Sequence, residues 1–187
     1  MQIDLEELKQ IIPYVKLKED NSYLISYPCF INYFKLKDRL SKQDLICSAF
    51  MIYGWMPTIL KKIDYTNIDK IVDLFNKAKS SDNILTEIEI KSLKPFTNNS
   101  LVGLSKLLHF INPNVYPIWD SKICKYFFSN GFYSKIGNVS IYLEYVDAIK
   151  ETIKFGLPND FDNLREQFGY EVTDVRLIEL VIFLKSV

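Results

Sequence analysis

Several residue types are scarce in this 187-residue chain, and each scarcity removes a class of function. There are three cysteines, Cys29, Cys47 and Cys124, widely spaced and with no Cys-x-x-Cys pair. An odd, sparse set points to reduced thiols in a cytoplasmic setting rather than a disulfide framework. The single histidine, His109, leaves no Cys/His zinc site, so no metal is expected. Apolar runs such as Ile178–Leu184, interrupted by Glu179, fall far short of a membrane span, and no membrane partner is expected. The opening MQIDLEELKQ lacks the basic start and apolar core of a signal peptide. Net charge is missing too: 23 Lys plus Arg balance 23 Asp plus Glu. A chain that grips a polyanion by bulk charge would be basic, so the whole-chain count speaks against such a partner. Arginine is nearly absent, 3 against 20 lysines, which reads as genome bias rather than chemistry.

What is present is an ordinary globular composition, 48% apolar and 25% charged, which excludes a disordered chain. The patterning is helical almost throughout. Asp4 caps a helix over 4–12 with Leu5, Leu8, Ile11 and Ile12 on one face. Residues 22–34 are aromatic without an evident helical period and read as a short hairpin or extended strap. Ser41, with Asp44 three residues on, opens a strong helix that Gly54 and Pro57 end, placing Trp55 and Met56 at a bend. Thr66 or Asn67 starts the next helix, and Ser80–Asn83 is a turn. A short helix follows over 84–93 with Ile84, Leu85 and Ile88 inward and Leu93 as a further candidate. Pro95–Asn99 is a tight connection to an apolar helix, Leu101–Ile111. Asn112–Asn114 stops that helix, Val115–Trp119 crosses in extended form, and Asp120 begins a helix over 121–129. Helices over 140–155, 159–168 and 173–186 complete the chain. The sum is an all-α globule of eight or nine helices in one domain, 1–187. Its middle helices, about 64–129, form one lobe, and the N-terminal part with 140–187 forms the other.

One stretch departs from the neutral average. Between Lys91 and Lys125, Lys91, Lys94, Lys106, Lys122 and Lys125 stand against the single acid Asp120, a local charge of +4 that leaves −4 for the rest. As a solvated face this needs no ligand. As a cluster at helix ends around a short loop it suits phosphates.

The order of parts in this stretch is a helix, a five-residue turn, an apolar helix, a short crossing and an Asp at a helix start. It resembles the helix-hairpin-helix DNA glycosylase superfamily, in which a hairpin holds a DNA phosphate and a crossing delivers a catalytic Asp in a pattern like Pro-x-Asp-x-x-apolar. Pro117–Ile123 has that form, and Asp174–Leu184 is similar to the closing helix of that fold. The resemblance implies a two-lobed helical globule that binds duplex DNA and excises a modified base. It implies Asp120 as the catalytic carboxylate, and DNA contacts from Lys94, Thr97, Asn98, Asn99, Ser100, Lys106 and Lys122. Tyr53, Trp55, Tyr116 and Trp119, with Tyr126 and Phe127, are the candidate pocket for a base that must leave the stack.

The departures from the family pattern carry their own implications. Asn98 and Asn99 stand where the family hairpin has glycines, and Asn tolerates the left-handed conformation better than most residues. Neither register of the hairpin puts Lys106 at the family's lysine nucleophile, which implies a single-step, monofunctional chemistry. Without four clustered cysteines no iron–sulfur cluster is implied, and no cofactor is expected.

Each candidate also has a plain structural role. Asp120 before Ser–Lys–Ile is a good N-cap, worth about 1 kcal/mol. His109 reads as a packing residue whose ring donates to a carbonyl beneath the crossing. Glu179 pairs with Arg176, or with Lys106 if their helices meet, and Cys124 is a buried small apolar residue. Two other functions therefore stay open beside the glycosylase: a non-catalytic DNA-binding or damage-sensing protein on the same scaffold, and a helical interaction protein without nucleic acid.

Overall fold

The computed structural model describes residues 1–18, 20–55, 60–82 and 84–186. Among these there is no strand. The helices are α1 (Leu5–Lys9), α2 (Ser22–Lys35), α3 (Lys42–Trp55), α4 (Ile68–Ser80), α5 (Glu87–Leu93), α6 (Leu101–Ile111), α7 (Ser121–Phe128), α8 (Val139–Ile153), α9 (Asp160–Glu166) and α10 (Asp174–Lys185). Three 3-10 segments, Ile12–Tyr14, Lys94–Thr97 and Ser129–Ser134, fill connections between them.

Most helix starts follow from local side-chain chemistry. Asp4, Ser100, Asp120 and Thr173 each accept backbone N–H bonds from the first turn that follows them. Ser41 and Asp44 bond to each other's backbone N–H, a reciprocal cap for α3. Thr86 and Glu89 do the same for α5, so that helix begins at Glu87 rather than at Ile84. Leu85 and Leu93 are buried as expected, but Ile90 takes the inward place expected of Ile88, which is exposed.

Residues 22–34 are helical, not a strap. Leu24, Tyr27, Ile31 and Phe34 face inward at helical spacing, and apolar residues on the outer face, Tyr23 and Ile25, mask that period in the sequence. The buried stripe outweighs the cost of Pro28 inside the helix, about 3 kcal/mol. Gly54 is helical as well, so α3 continues to Trp55. The expected bend at Met56–Pro57 lies outside the described residues, as does Asn83.

Helix α6 is the centre of the molecule, with nine of its eleven residues buried. It packs against α2, α3 and α4, and α10 packs against α7, α8, α9 and α1. One continuous apolar core joins these helices, from Ile3 to Ile182. No described helix is long and apolar enough to cross a membrane.

Candidate active site

The turn before α6 is built from the two asparagines. Asn98 and Asn99 both adopt left-handed backbone, φ 53° and 57°. The Asn99 N–H returns to Lys94 O at 2.9 Å and the Ser100 N–H to Thr97 O at 2.7 Å. Ser100 Oγ then accepts from Gly103 N at 3.1 Å, capping α6. Tyr53 braces the turn from below, its hydroxyl donating to Thr97 O at 2.8 Å. Gly103 makes room for it, since a Cβ there would lie 3.1 Å from the Tyr53 hydroxyl. Outside, Asn98 Oδ1 accepts from Lys62 N at 3.1 Å, which brings Lys61 and Lys62, both exposed, to the turn. Lys94 Nζ donates to Gly137 O at 3.0 Å.

The crossing from α6 to α7 is pinned at three points. Ser105, fully buried, bonds both backbone groups of Trp119: its Oγ lies 3.0 Å from the N–H and 3.1 Å from the C=O. His109 Nδ1 donates to Tyr116 O at 2.7 Å. The Tyr142 hydroxyl donates to Pro117 O at 3.2 Å. The next residue is Asp120, whose Oδ1 accepts from Lys122 N at 2.9 Å and Ile123 N at 3.0 Å. Its Oδ2 makes no hydrogen bond to the described residues. The carboxylate is thus fixed at a helix N-terminus with one oxygen left for a ligand, in the field that favours an anion.

Lys106 comes to the same place from α6. It is half-buried, its Nζ lies 5.4 Å from the Trp55 ring centroid, and it makes no hydrogen bond or ion pair with the described residues. Burial lowers its proton affinity, while Asp120 and Glu179 partly restore it. Behind it, Arg176 and Glu179 on α10 form a buried ion pair through Nη1 and Oε2. Desolvation raises the Glu179 carboxyl despite the opposing pull of the Arg176 charge. Two bases and two acids therefore meet at the junction of α6, α7 and α10, and the cluster is neutral as a whole.

The sequence-derived residues divide accordingly. Lys106 lies over Trp55 and within electrostatic reach of Asp120, whereas the Lys122 Nζ lies 4.3 Å from the Phe183 ring centroid. Asn98, Asn99, Ser100 and Lys94 form the turn. Thr97 is 1% exposed, with its hydroxyl spent on Lys94 O and Ser100 O, so it is a brace rather than a contact. Tyr53, Tyr116 and Trp119 are core residues, not walls of a pocket. Tyr116 Oη accepts from Leu85 N, and Trp119 Nε1 donates to Ile136 O, so their polar ends serve the fold. Tyr126 faces elsewhere, its hydroxyl donating to Glu7, and Phe127 packs on Tyr145.

The sequence reading missed Tyr27, Tyr145, Tyr170 and Arg176 as neighbours of the site, and missed the proximity of Lys106 to Asp120. The only signals were the Arg176–Glu179 spacing and the isolated charges in the apolar α10. The +4 stretch does not form one face. Lys91 pairs with Glu87, and Lys125 lies over Phe132.

Chemically, a free carboxylate oxygen within electrostatic reach of an unpaired amine of reduced proton affinity can stabilise a developing cation, activate water or attack an electrophilic carbon. Comparison with protein-family models, with curated proteins and with solved structures gave no match for the chain.

Proposed function

We propose that the protein binds duplex DNA and hydrolyses the N-glycosidic bond of a modified nucleotide, with Asp120 as the catalytic carboxylate. The observation that carries this reading is the free Oδ2 of Asp120, fixed at the head of α7 within electrostatic reach of Lys106 on α6, the helix that the Lys94–Ser100 turn opens. Loss of a base builds positive charge on the sugar. A fixed carboxylate stabilises that charge without reorganising, and orients a water for attack at C1′. The base leaves with the bonding pair and takes a proton. The turn, with the side-chain amide of the exposed Asn99 and with Lys61 and Lys62 beside it, supplies a donor and cations for a phosphate.

The test is incubation with duplexes carrying uracil, alkylated, oxidised and hypermodified bases, followed by assay for abasic sites. Product from one of them that disappears in Asp120→Asn, with binding retained, is the expected result. Salt-sensitive binding without product points to the damage-sensing reading. No retention on DNA even at low salt points to an interaction protein without nucleic acid.

Lys106 favours a second reading of the chemistry. An unprotonated Lys106 amine attacking C1′ displaces the base, and ring opening then gives an imine to the opened sugar. Borohydride reduces that imine to a stable protein–DNA adduct. A trapped adduct absent from Lys106→Met supports this route over direct hydrolysis.

A further inference from the structure

The outer side of α2 and α3 differs from that of the other long surface helices. Helix α4 exposes Asp69, Lys70, Asp73 and Lys77, and α8 exposes Glu144, Asp147, Lys150 and Glu151. By contrast, α2 has no charged residue from Ser22 to Phe34, and α3 has none from Leu45 to Trp55. Ile25, Cys29 and Leu36 are exposed along α2, and Cys47, Phe50 and Gly54 along α3. Steps of three, four and seven put each set on one side of its helix. Ile25 is 57% exposed, Phe50 58% and Leu36 84%. A helix that is apolar on both sides is ordinarily buried on both.

The two stripes form one face. Helices α2 and α3 both pack on α6 and lie side by side, antiparallel. At one end Trp55 Nε1 donates to Ser26 Oγ at 3.0 Å. At the other the Tyr33 hydroxyl donates to Asp44 Oδ1 at 3.0 Å, and Lys37 pairs with the same carboxylate at 2.8 Å. Each helix has 14 residues. The pair is therefore about 21 Å long and about 20 Å wide, roughly 400 Å² in projection. Side-chain relief brings its accessible area toward the roughly 800 Å² per partner of a stable interface. Apolar residues scattered singly over a monomer do not make such a patch.

We propose that this face binds a second copy of the chain, the α2–α3 layer of each protomer meeting its twin about a twofold axis to form a four-helix bundle. The charge pattern selects this occupant. A twofold contact lays a surface on itself, so every charged group in it meets its own kind. A face without charge is complementary to itself, whereas the outer faces of α4 and α8 would bring like charges together. A lipid surface fits less well. Helices that lie on membranes hold anionic headgroups with free cations, and at this rim Lys37 is held by Asp44 and Arg39 by Asp73.

The experiment is sedimentation velocity on the full chain from nanomolar to high micromolar concentration. The wild type is expected to dimerise, and the dimer to dissociate on dilution. Two double variants put charge on the face: Ile25→Lys with Phe50→Lys, and Ile25→Glu with Phe50→Glu. Each is expected to weaken the dimer at least about tenfold. An equimolar mixture of the two is expected to pair again, because opposite charges then meet. That recovery separates loss of an interface from loss of the fold. Ile88→Lys, exposed on α5, is expected to leave the dimer as it is.

A wild type that stays monomeric throughout overturns the proposal, as does a dimer that both double variants leave intact. So does a mixture that fails to pair while each variant keeps the wild-type circular dichroism. A monomer that floats with phosphatidylcholine–phosphatidylserine vesicles, and stops doing so in the glutamate variant, overturns it in favour of a lipid surface.

Discussion

The Tyr27 hydroxyl donates to His109 Nε2 across 2.7 Å, while Nδ1 of the same ring donates to Tyr116 O at 2.7 Å. A carbonyl only accepts, so the proton is on Nδ1 and the ring is neutral. One imidazole thereby ties α2, α6 and the crossing together.

Acid is predicted to weaken the fold through this ring. Burial and the Arg176 charge push the His109 pKa down to about 3, while the unfolded chain titrates near the ordinary value of 6.5. The unfolded state then binds more protons between those limits, so stability falls as pH drops from about 6.5 toward 3. Glu179 works the other way, since its carboxyl is raised in the folded protein and acid relieves it. With one histidine in the chain, the slope between about pH 6.5 and 5 reports His109. Denaturant titrations across this range check it, and a flat profile contradicts the prediction.

Asp120→Asn keeps a cap oxygen for the Lys122 and Ile123 amides, so its stability stays within about 0.5 kcal/mol of wild type. Asp120→Ala loses the cap and about 1 kcal/mol. Chemical denaturation of the two variants measures the structural share of this residue; under the proposed mechanism both variants also lose product formation, whatever their stability.

Ser105→Ala removes the hydroxyl that serves both backbone groups of Trp119 and leaves them buried without that partner. The expected loss is about 1–3 kcal/mol, read as a lowered denaturation midpoint. If Asp120 is the catalytic carboxylate, product formation falls more than DNA affinity, because Asp120 follows Trp119 while the Asn98–Asn99 turn is untouched. An equal loss in both would show that Ser105 acts on the fold alone.

Asn99, exposed and at φ 57°, makes its turn at a steric cost that glycine escapes. Asn99→Gly leaves stability unchanged or slightly raised, whereas Asn99→Ala costs about 1 kcal/mol. If this turn holds a phosphate, the alanine variant also binds duplex DNA more weakly at every base tested. Weakening confined to one base would place Asn99 in recognition instead.

Much of the fold was legible because its signals are local. Asp4, Ser41 with Asp44, Ser100, Asp120 and Thr173 cap helices through bonds to residues two or three positions away, and spacing alone reveals such bonds. His109 and Cys124 lie buried as their apolar surroundings suggested. Helix α2 was hidden because aromatic residues on its exposed face resemble those on its buried one. Ile88 pointed outward because the Thr86–Glu89 cap moved the helix start.

The sequence by itself determined an all-helical chain, the turn before α6 and the position of Asp120 at the head of α7. Tertiary structure alone decided what surrounds Asp120. It withdrew Tyr116 and Trp119 into the core and set Lys106 over Trp55. It also carried Arg176 and Glu179 from α10 to within electrostatic reach of that lysine. The reason is physical: a cap is satisfied within one helical turn, whereas a buried charge is satisfied only by groups that packing brings from elsewhere in the chain.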